Sequence, residues 1–292
     1  MLDLSYFQNS GNVNTQIFTN AGSWVTWQKP RSAKFVNILC IGSGGGGSNG
    51  VSSSVSVRGS GGGGGGGGGI VRAQFQASIL PDILYVYTGA GGTGSLGGSQ
   101  KTTIDPGQNG EKSYICLIPD TSSVSNIVVT SGNLSARGAT NNGGAGETIA
   151  TVANAIFLNL GTFIAVAGIA GTNGGAASGN AGITPSQITT GGTGGNGVGA
   201  AGGFTAAGFY PTVPTTLSVA GVGLAGKNGF MFTKPVLAFL GGSGGGGAGT
   251  GPGGKGGDAS YGCGGGGGGG CQNVGGNGGR GGDGLIIITT SF

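Results

Sequence analysis

The sequence has no histidine, only four cysteines, nine prolines and two tryptophans, and 7% of its 292 residues are charged. Without histidine the commonest general base and the commonest metal ligand are missing, and a Ser/His/Asp triad cannot be built. The eight acids are scattered along the chain, and none has the pairing that two-carboxylate hydrolysis needs. Glu111 and Glu147 fall in polar, turn-like contexts and read as solvated turn charge. No enzyme activity, no metal site and no cofactor are expected. Cys40 and Cys116 lie inside apolar runs and read as small buried hydrophobes. Cys263 and Cys271 flank a run of glycine, where a disulfide and a pair of free thiols both fit; assembly in a cytoplasm favours the thiols. Their spacing is not a zinc pattern. No apolar stretch reaches the about 18 residues of a membrane-crossing helix. The opening Met1-Leu2-Asp3-Leu4-Ser5-Tyr6 lacks the basic region and apolar core of a secretory signal. Net charge is only +4 with the basic residues dispersed, so neither membrane insertion nor a nucleic-acid partner is expected.

What is abundant is glycine, 78 residues of it. Collagen is excluded, because the glycines come in doubles and long runs with little proline. A disordered linker is the default reading of the run 61–69 alone. Across the whole chain that reading weakens. Hydrophobic residues make up 36%, and apolar β-type runs alternate with the glycine, unlike the low hydrophobicity and high charge of disordered chains. Ordering glycine costs roughly 0.5–1 kcal/mol more than ordering alanine at each regular position. A fold would use so much of it only where a Cβ would clash, which implies backbones packed very close together.

The closing block Gly275-Gly276-Asn277-Gly278-Gly279-Arg280-Gly281-Gly282-Asp283-Gly284 has a period of three and runs into Leu285-Ile286-Ile287-Ile288. Three residues per turn is the period of a polyproline II-type helix, which has no internal hydrogen bonds. Asn277, Arg280 and Asp283 then share one edge, and the other two edges are bare glycine. Such a segment needs neighbours to satisfy its N–H and C=O groups. Period three recurs at Pro252, Lys255, Asp258 and Tyr261, and in part at 191–197. The fold class expected is mainly β: a β-sandwich-like N-terminal part combined with packed polyglycine II helices and glycine-rich loops. A weak boundary divides a β-rich part, 1–130, suited to virion attachment, from a glycine-rich part, 131–292, whose last strand can return to the first sheet.

In order, 16–20 and 22–27 read as short strands with a turn at Asn20-Ala21-Gly22. Trp24 and Trp27 read as core or edge packing. Strands are expected over 35–41, 70–77, 83–88, 113–118, 126–130 and 163–170, and an apolar strand pattern over 230–240 is broken by Pro235. The run 148–160 fits a helix or a strand. Glycine motifs carry no weight for nucleotide binding in this composition. The nearest phosphate-loop likeness, Gly221-Val222-Gly223-Leu224-Ala225-Gly226-Lys227-Asn228, has Asn228 where a Ser or Thr would hold magnesium.

Several stretches in this order resemble the glycine-rich domain of bacteriophage tail and tail-fibre proteins. They are Gly22-Ser23-Trp24-Val25-Thr26-Trp27-Gln28-Lys29-Pro30, then Val36-Asn37-Ile38-Leu39-Cys40-Ile41-Gly42-Ser43-Gly44-Gly45-Gly46-Gly47. They continue with Tyr85-Val86-Tyr87-Thr88-Gly89-Ala90-Gly91-Gly92 and Gly281-Gly282-Asp283-Gly284-Leu285-Ile286-Ile287-Ile288. The layout is also similar to tip adhesins of T-even-like phages, which pack glycine runs as polyglycine II helices and carry variable loops between them. The resemblance implies a virion protein assembled in the host cytoplasm. Its partners would be other virion tail proteins and a host surface glycan or outer-membrane protein, and by analogy it would be a homotrimer. The loops at 121–125, 134–147, 176–190 and 204–214 would then face the receptor, with Phe204, Phe209, Tyr210 and Tyr261 as candidate contacts, because loop aromatics bury much area at low entropic cost. A coiled-coil or β-helical shaft is missing from the pattern. Two other readings stand beside adhesion. One is a tail or capsid decoration or assembly protein; the other is an ice binder, against which the mixed residues at the third positions argue.

Overall fold

A computed structural model describes residues 13–52, 59–132, 137–138, 144–145, 148, 152–171, 218–219, 222–232, 238–239, 241–242, 244–245, 247, 251–271 and 273–292. The fold is mainly β, as the sequence implies. The first strands are β1 (Val13–Phe18), β2 (Trp24–Gln28), β3 (Phe35–Ile41), β4 (Ile70–Gln76), β5 (Ile83–Tyr87), β6 (Tyr114–Cys116) and β7 (Ile127–Thr130). A short helix α1 (Ala155–Leu160) precedes β8 (Gly161–Val166). Two-residue strands β9 (Ser218–Val219) and β10 (Val222–Gly223), then β11 (Met231–Phe232) and β12 (Ala238–Phe239), form small antiparallel pairs, and β13 (Leu285–Ser291) closes the chain. Among the described residues, no helix is long and apolar enough to cross a membrane.

Two antiparallel sheets carry the core. One has the order β1-β13-β3-β4-β8 and the other β2-β5-β6-β7. Alternation sets their faces: Val71, Ala73 and Phe75 of β4 point inward, while Arg72, Gln74 and Gln76 point out. Val36, Ile38, Cys40, Ile286 and Ile288 from the first sheet meet Trp27, Leu84, Val86, Ile115 and Val129 from the second in one buried cluster. Phe75 is gripped edge-on by Phe157 and Phe163, at 6.1 and 5.5 Å between ring centroids. The open run at 148–160 resolves into α1, which Asn154 caps by accepting from Ile156 N–H and Phe157 N–H at 2.9 and 3.0 Å. The strand read over 16–20 pairs with β13, whereas β2 pairs with β5. The turn at Ala21 and Gly22 thus passes the chain from one sheet to the other, and Gly22 takes a φ of +76° there. Around Pro235 the strand pattern becomes the pair β11 and β12 on either side of 233–237.

The closing strand does return to the first sheet, as a central strand hydrogen-bonded to β1 and β3. This arrangement seeds the glycine segments. β3 runs into 42–51, 59–69 runs into β4, and 274–284 runs into β13, so neighbours in the sheet stay neighbours beyond it. β5 of the second sheet runs into 89–98. Side chains hold packed sheets roughly 10 Å apart. The glycine segments have no side chains to separate them, and the two layers converge: Gly92 N–H donates to Gly44 O and Gly281 N–H to Gly92 O, at 2.9 and 2.8 Å.

Ser113 stands where the layers converge. Its hydroxyl donates to Ile41 O at 2.7 Å and accepts from Gly89 N–H at 3.1 Å, fully buried. Ser113→Ala strands a buried donor and a buried acceptor at once. It is expected to lower stability by about 1–3 kcal/mol, read as a drop in the urea midpoint with an unchanged m-value.

Candidate interaction surfaces

The glycine segments bond in rotation to their neighbours. Along 42–51, the N–H groups of Gly42, Gly45, Ser48 and Val51 donate to 59–69. Those of Gly44, Gly47 and Gly50 donate to 274–284, and those of Ser43 and Gly46 donate to Glu111 O and Gln108 O. Carbonyls of the same segment accept from Gly92 and Ser95, from Gly265, Gly268 and Cys271, and from Gly138. Each partnership advances three residues at a time, so one buried segment bonds to six others. In 274–284 burial follows the same period: Asn277 and Arg280 are exposed and the glycine pairs between them are buried. Among the described residues, only Gly22, Gly132 and Gly262 have positive φ among the glycines. The runs therefore need glycine for its missing Cβ, because a Cβ at Gly276 or Gly279 would lie 2.7 or 2.6 Å from a neighbouring carbonyl carbon and closer still to its oxygen.

At the edges of the array the polar third-position residues replace the absent neighbour. Asn277 Oδ1 accepts from Gly97 N–H at 2.7 Å, and Asp283 Oδ1 accepts from Gly91 N–H at 2.8 Å. Asp258 Oδ1 accepts from Arg280 N–H at 2.8 Å, and Asn228 Oδ1 accepts from Asp258 N–H at 3.0 Å. Lys255 and Arg280 pair with Asp258 and Asp283 three residues on. Glu111 is not merely a solvated turn charge: its Oε2 accepts from Tyr87 hydroxyl at 2.8 Å and from Ala90 N–H at 3.1 Å. The phosphate-loop likeness is used in the same way. Gly223, Gly226 and Gly229 donate their N–H groups to Pro252, Lys255 and Asp258 carbonyls, so these amides do not cradle a phosphate.

All four cysteines are buried and unbridged. Burial pushes the Cys116 and Cys263 thiols up to about 12 from an ordinary 9.0, with Asp120 adding to the rise at Cys116 and a Ser260 hydrogen bond opposing it at Cys263. At pH 8 the native protein is expected to leave an aromatic disulfide reagent unreacted, and denaturant is expected to release four thiols. The sign of the pH dependence follows. Between pH 9 and about 12 the unfolded chain gives up protons that the folded chain keeps, so this contribution is complete below pH 9 and is lost as pH rises through that window. Melting temperature measured against pH tests it.

Of the four candidate contacts, Phe204, Phe209 and Tyr210 lie outside the described residues, as do the loops at 176–190 and 204–214 and most of 134–147. Tyr261 is half-buried and packs against the cluster of Ile41, Phe239, Cys263, Leu285 and Ile287. Burial, and then the charge of Asp283, raise its phenol. The loop at 121–125 is exposed. Asp120 braces it by accepting from Ser122 N–H and hydroxyl at 2.8 and 2.7 Å, and those bonds hold its carboxyl below the ordinary range.

Beside that loop is a group the sequence does not single out. Register sets Trp24 opposite Tyr87, and Tyr87 opposite Tyr114, across β2, β5 and β6. Their ring centroids are 5.2 and 6.3 Å apart, with planes inclined at 46° and 51°. All three are half-buried and, with Glu111, Lys112 and Thr121, line a hollow of about 340 Å³. Burial, then the Glu111 hydrogen bond, push the Tyr87 phenol up to about 12, so it remains a donor to that carboxylate. Trp27, three residues from Trp24, faces the other way and is buried in the core.

A family model described as a glycine-rich domain matches residues 19–291. No curated protein matches the sequence.

Proposed function

From the premise that the chain belongs to the glycine-rich domain family, we propose that it is a structural protein of a bacteriophage virion, a tail-fibre or tail-tip adhesin that binds a host cell-surface receptor without catalysis. The observation that carries this reading is the array in which each glycine segment is hydrogen-bonded to several others. An array so extensively cross-bonded is stiff, and a stiff support that leaves its connecting loops outside suits presentation of a binding surface. In this proposal the segments run as polyglycine II helices. The loops at 121–125, 134–147, 176–190 and 204–214, with Phe204, Phe209, Tyr210 and Tyr261, face the receptor. The protein joins other tail proteins in the virion as a homotrimer, after assembly in the host cytoplasm. The test is adsorption: purified protein should bind host cells and compete with the phage for them. Failure to do either overturns the reading.

A second reading, a tail or capsid decoration or assembly protein, is favoured by one feature. β8 is an edge strand of the first sheet, and Ile164 and Val166 on it, with Ile156, Leu158 and Leu160 of α1, are exposed. An apolar sheet edge is suited to a protein neighbour. Labelling the chain in intact particles separates the two readings: a distal, solvent-facing position favours adhesion, and an enclosed one favours assembly.

A further inference from the structure

We propose that the aromatic ladder of Trp24, Tyr87 and Tyr114, with Glu111, Lys112 and Thr121 around it, is a saccharide-binding site. As the receptor subsite of the protein it rests on the adhesin reading; as a site that binds a glycan it stands on its own geometry.

A pyranose has an apolar face of C–H bonds rimmed by hydroxyl groups. The ladder offers the matching surface. Three electron-rich rings stand in one row across β2, β5 and β6, each half-buried and each lining the same hollow. Inclined planes leave part of each ring for the hollow instead of stacking it flush on its neighbour. Tyrosine and tryptophan combine such a ring with a polar tip, which suits a ligand that is itself apolar on one side and polar on the other. The rim is polar in both senses. Lys112 and Thr121 bring an ammonium and a hydroxyl, and Glu111 brings a carboxylate. Both protein bonds to that carboxylate fall on Oε2, so Oε1 is the acceptor a sugar hydroxyl would meet.

The ladder is also held in place. β5 lies between β2 and β6 in a continuous hydrogen-bonded register. Tyr87 is fixed by its hydroxyl to Glu111, which is itself fixed to the Ala90 N–H. Rigid aromatic groups lose little entropy on binding. An organic cation is the rival occupant, since rings beside a carboxylate attract positive charge. Lys112 on the same rim opposes it, and a neutral or acidic glycan meets no such repulsion.

The full chain would be applied to an array of defined oligosaccharides that includes hexose, N-acetylhexosamine and heptose members. The affinity of a retained member would then be measured through tryptophan emission. Stacking on Trp24 is expected to change that emission, while Trp27 stays silent in the core. Trp24→Ala and Tyr114→Ala are each expected to weaken binding about tenfold or more. Thr121→Arg, at an exposed rim position, fills the hollow without touching a ring and is expected to abolish binding with an unchanged melting temperature. The proposal is overturned if no oligosaccharide is retained, if the variants bind as the parent does, or if tetramethylammonium chloride displaces the sugar and binds more tightly.

Adsorption of the same proteins to host cells separates the two claims. Glycan binding without cell binding leaves the site standing and removes the adhesin reading. Cell binding that survives Trp24→Ala and Thr121→Arg, with no glycan retained, leaves the adhesin reading standing and removes the site.

Discussion

Gly279→Val is expected to prevent folding, with Gly276→Val doing the same. At Gly279 a Cβ would lie 2.6 Å from Gly257 C and closer to its oxygen, and at Gly276 it would lie 2.7 Å from Gly254 C. Contact below 3.0 Å forces something to move, and here the obstacle is backbone. The segment 252–259 cannot step back, because Gly253, Gly256 and Ala259 donate to Val274, Asn277 and Arg280 carbonyls and because Gly254 O and Gly257 O accept from Gly269 and Gly266. Displacing it breaks buried hydrogen bonds as well as creating strain. The cost for each variant therefore lies above the roughly 3 kcal/mol of ordinary overpacking, against a total stability on the order of 5–15 kcal/mol. Two controls separate this from a general intolerance of substitution. A Cβ at Gly98 meets nothing within 4 Å, so Gly98→Ala should leave stability unchanged or raise it by about 0.4–1 kcal/mol. Asn277→Ser keeps an exposed polar group and loses one bond to Gly97 N–H, which water can replace. Its cost should stay within about 1 kcal/mol. Circular dichroism melts of the four variants decide. Unchanged melting of the two valine variants would remove the packed-segment account altogether.

Truncation after Gly284 is the second large effect. It is expected to leave an insoluble chain without a cooperative melt, although only a short C-terminal stretch is lost. β13 lies between β1 and β3, and its removal leaves a strand edge open on each of them. It also removes Leu285, Ile286, Ile287 and Ile288, all buried and divided between the main cluster and the one around Phe239. A milder probe keeps the question quantitative: Ile286→Ala should cost about 2–5 kcal/mol. Adding a synthetic peptide of the missing strand should restore soluble, folded protein, if the defect is the empty place in the sheet.

The local pattern made part of this fold legible. Phe35–Ile41 and Ile70–Gln76 follow directly from apolar alternation between glycine runs. The return of the last strand follows from an apolar run that needs two covered faces. Pairings across long stretches of chain were not legible. Nothing near Phe18 or Trp24 tells β1 to join β13 and β2 to join β5. The runs pose a deeper ambiguity, because each has the same period and the same bare surface, and any run could accept any other. Order is imposed by the strands at their ends and by the few polar residues that terminate the array, such as Asn277 and Asp283. The tyrosines of the ladder were visible as alternating residues, but their meeting with Trp24 depends on register, which a strand alone does not encode.

The step of three between bonded segments also bears on how such a gene can vary. Adding or deleting three codons within a glycine run shifts each partnership by one whole repeat and keeps the polar residues on the rim. A single codon turns everything downstream by a third of a revolution, burying a charged residue where only hydrogen fits. Repetitive glycine codons lengthen and shorten readily during replication, so run lengths among relatives should differ by multiples of three. The connecting loops, free of that arithmetic, can change length and content as selection asks.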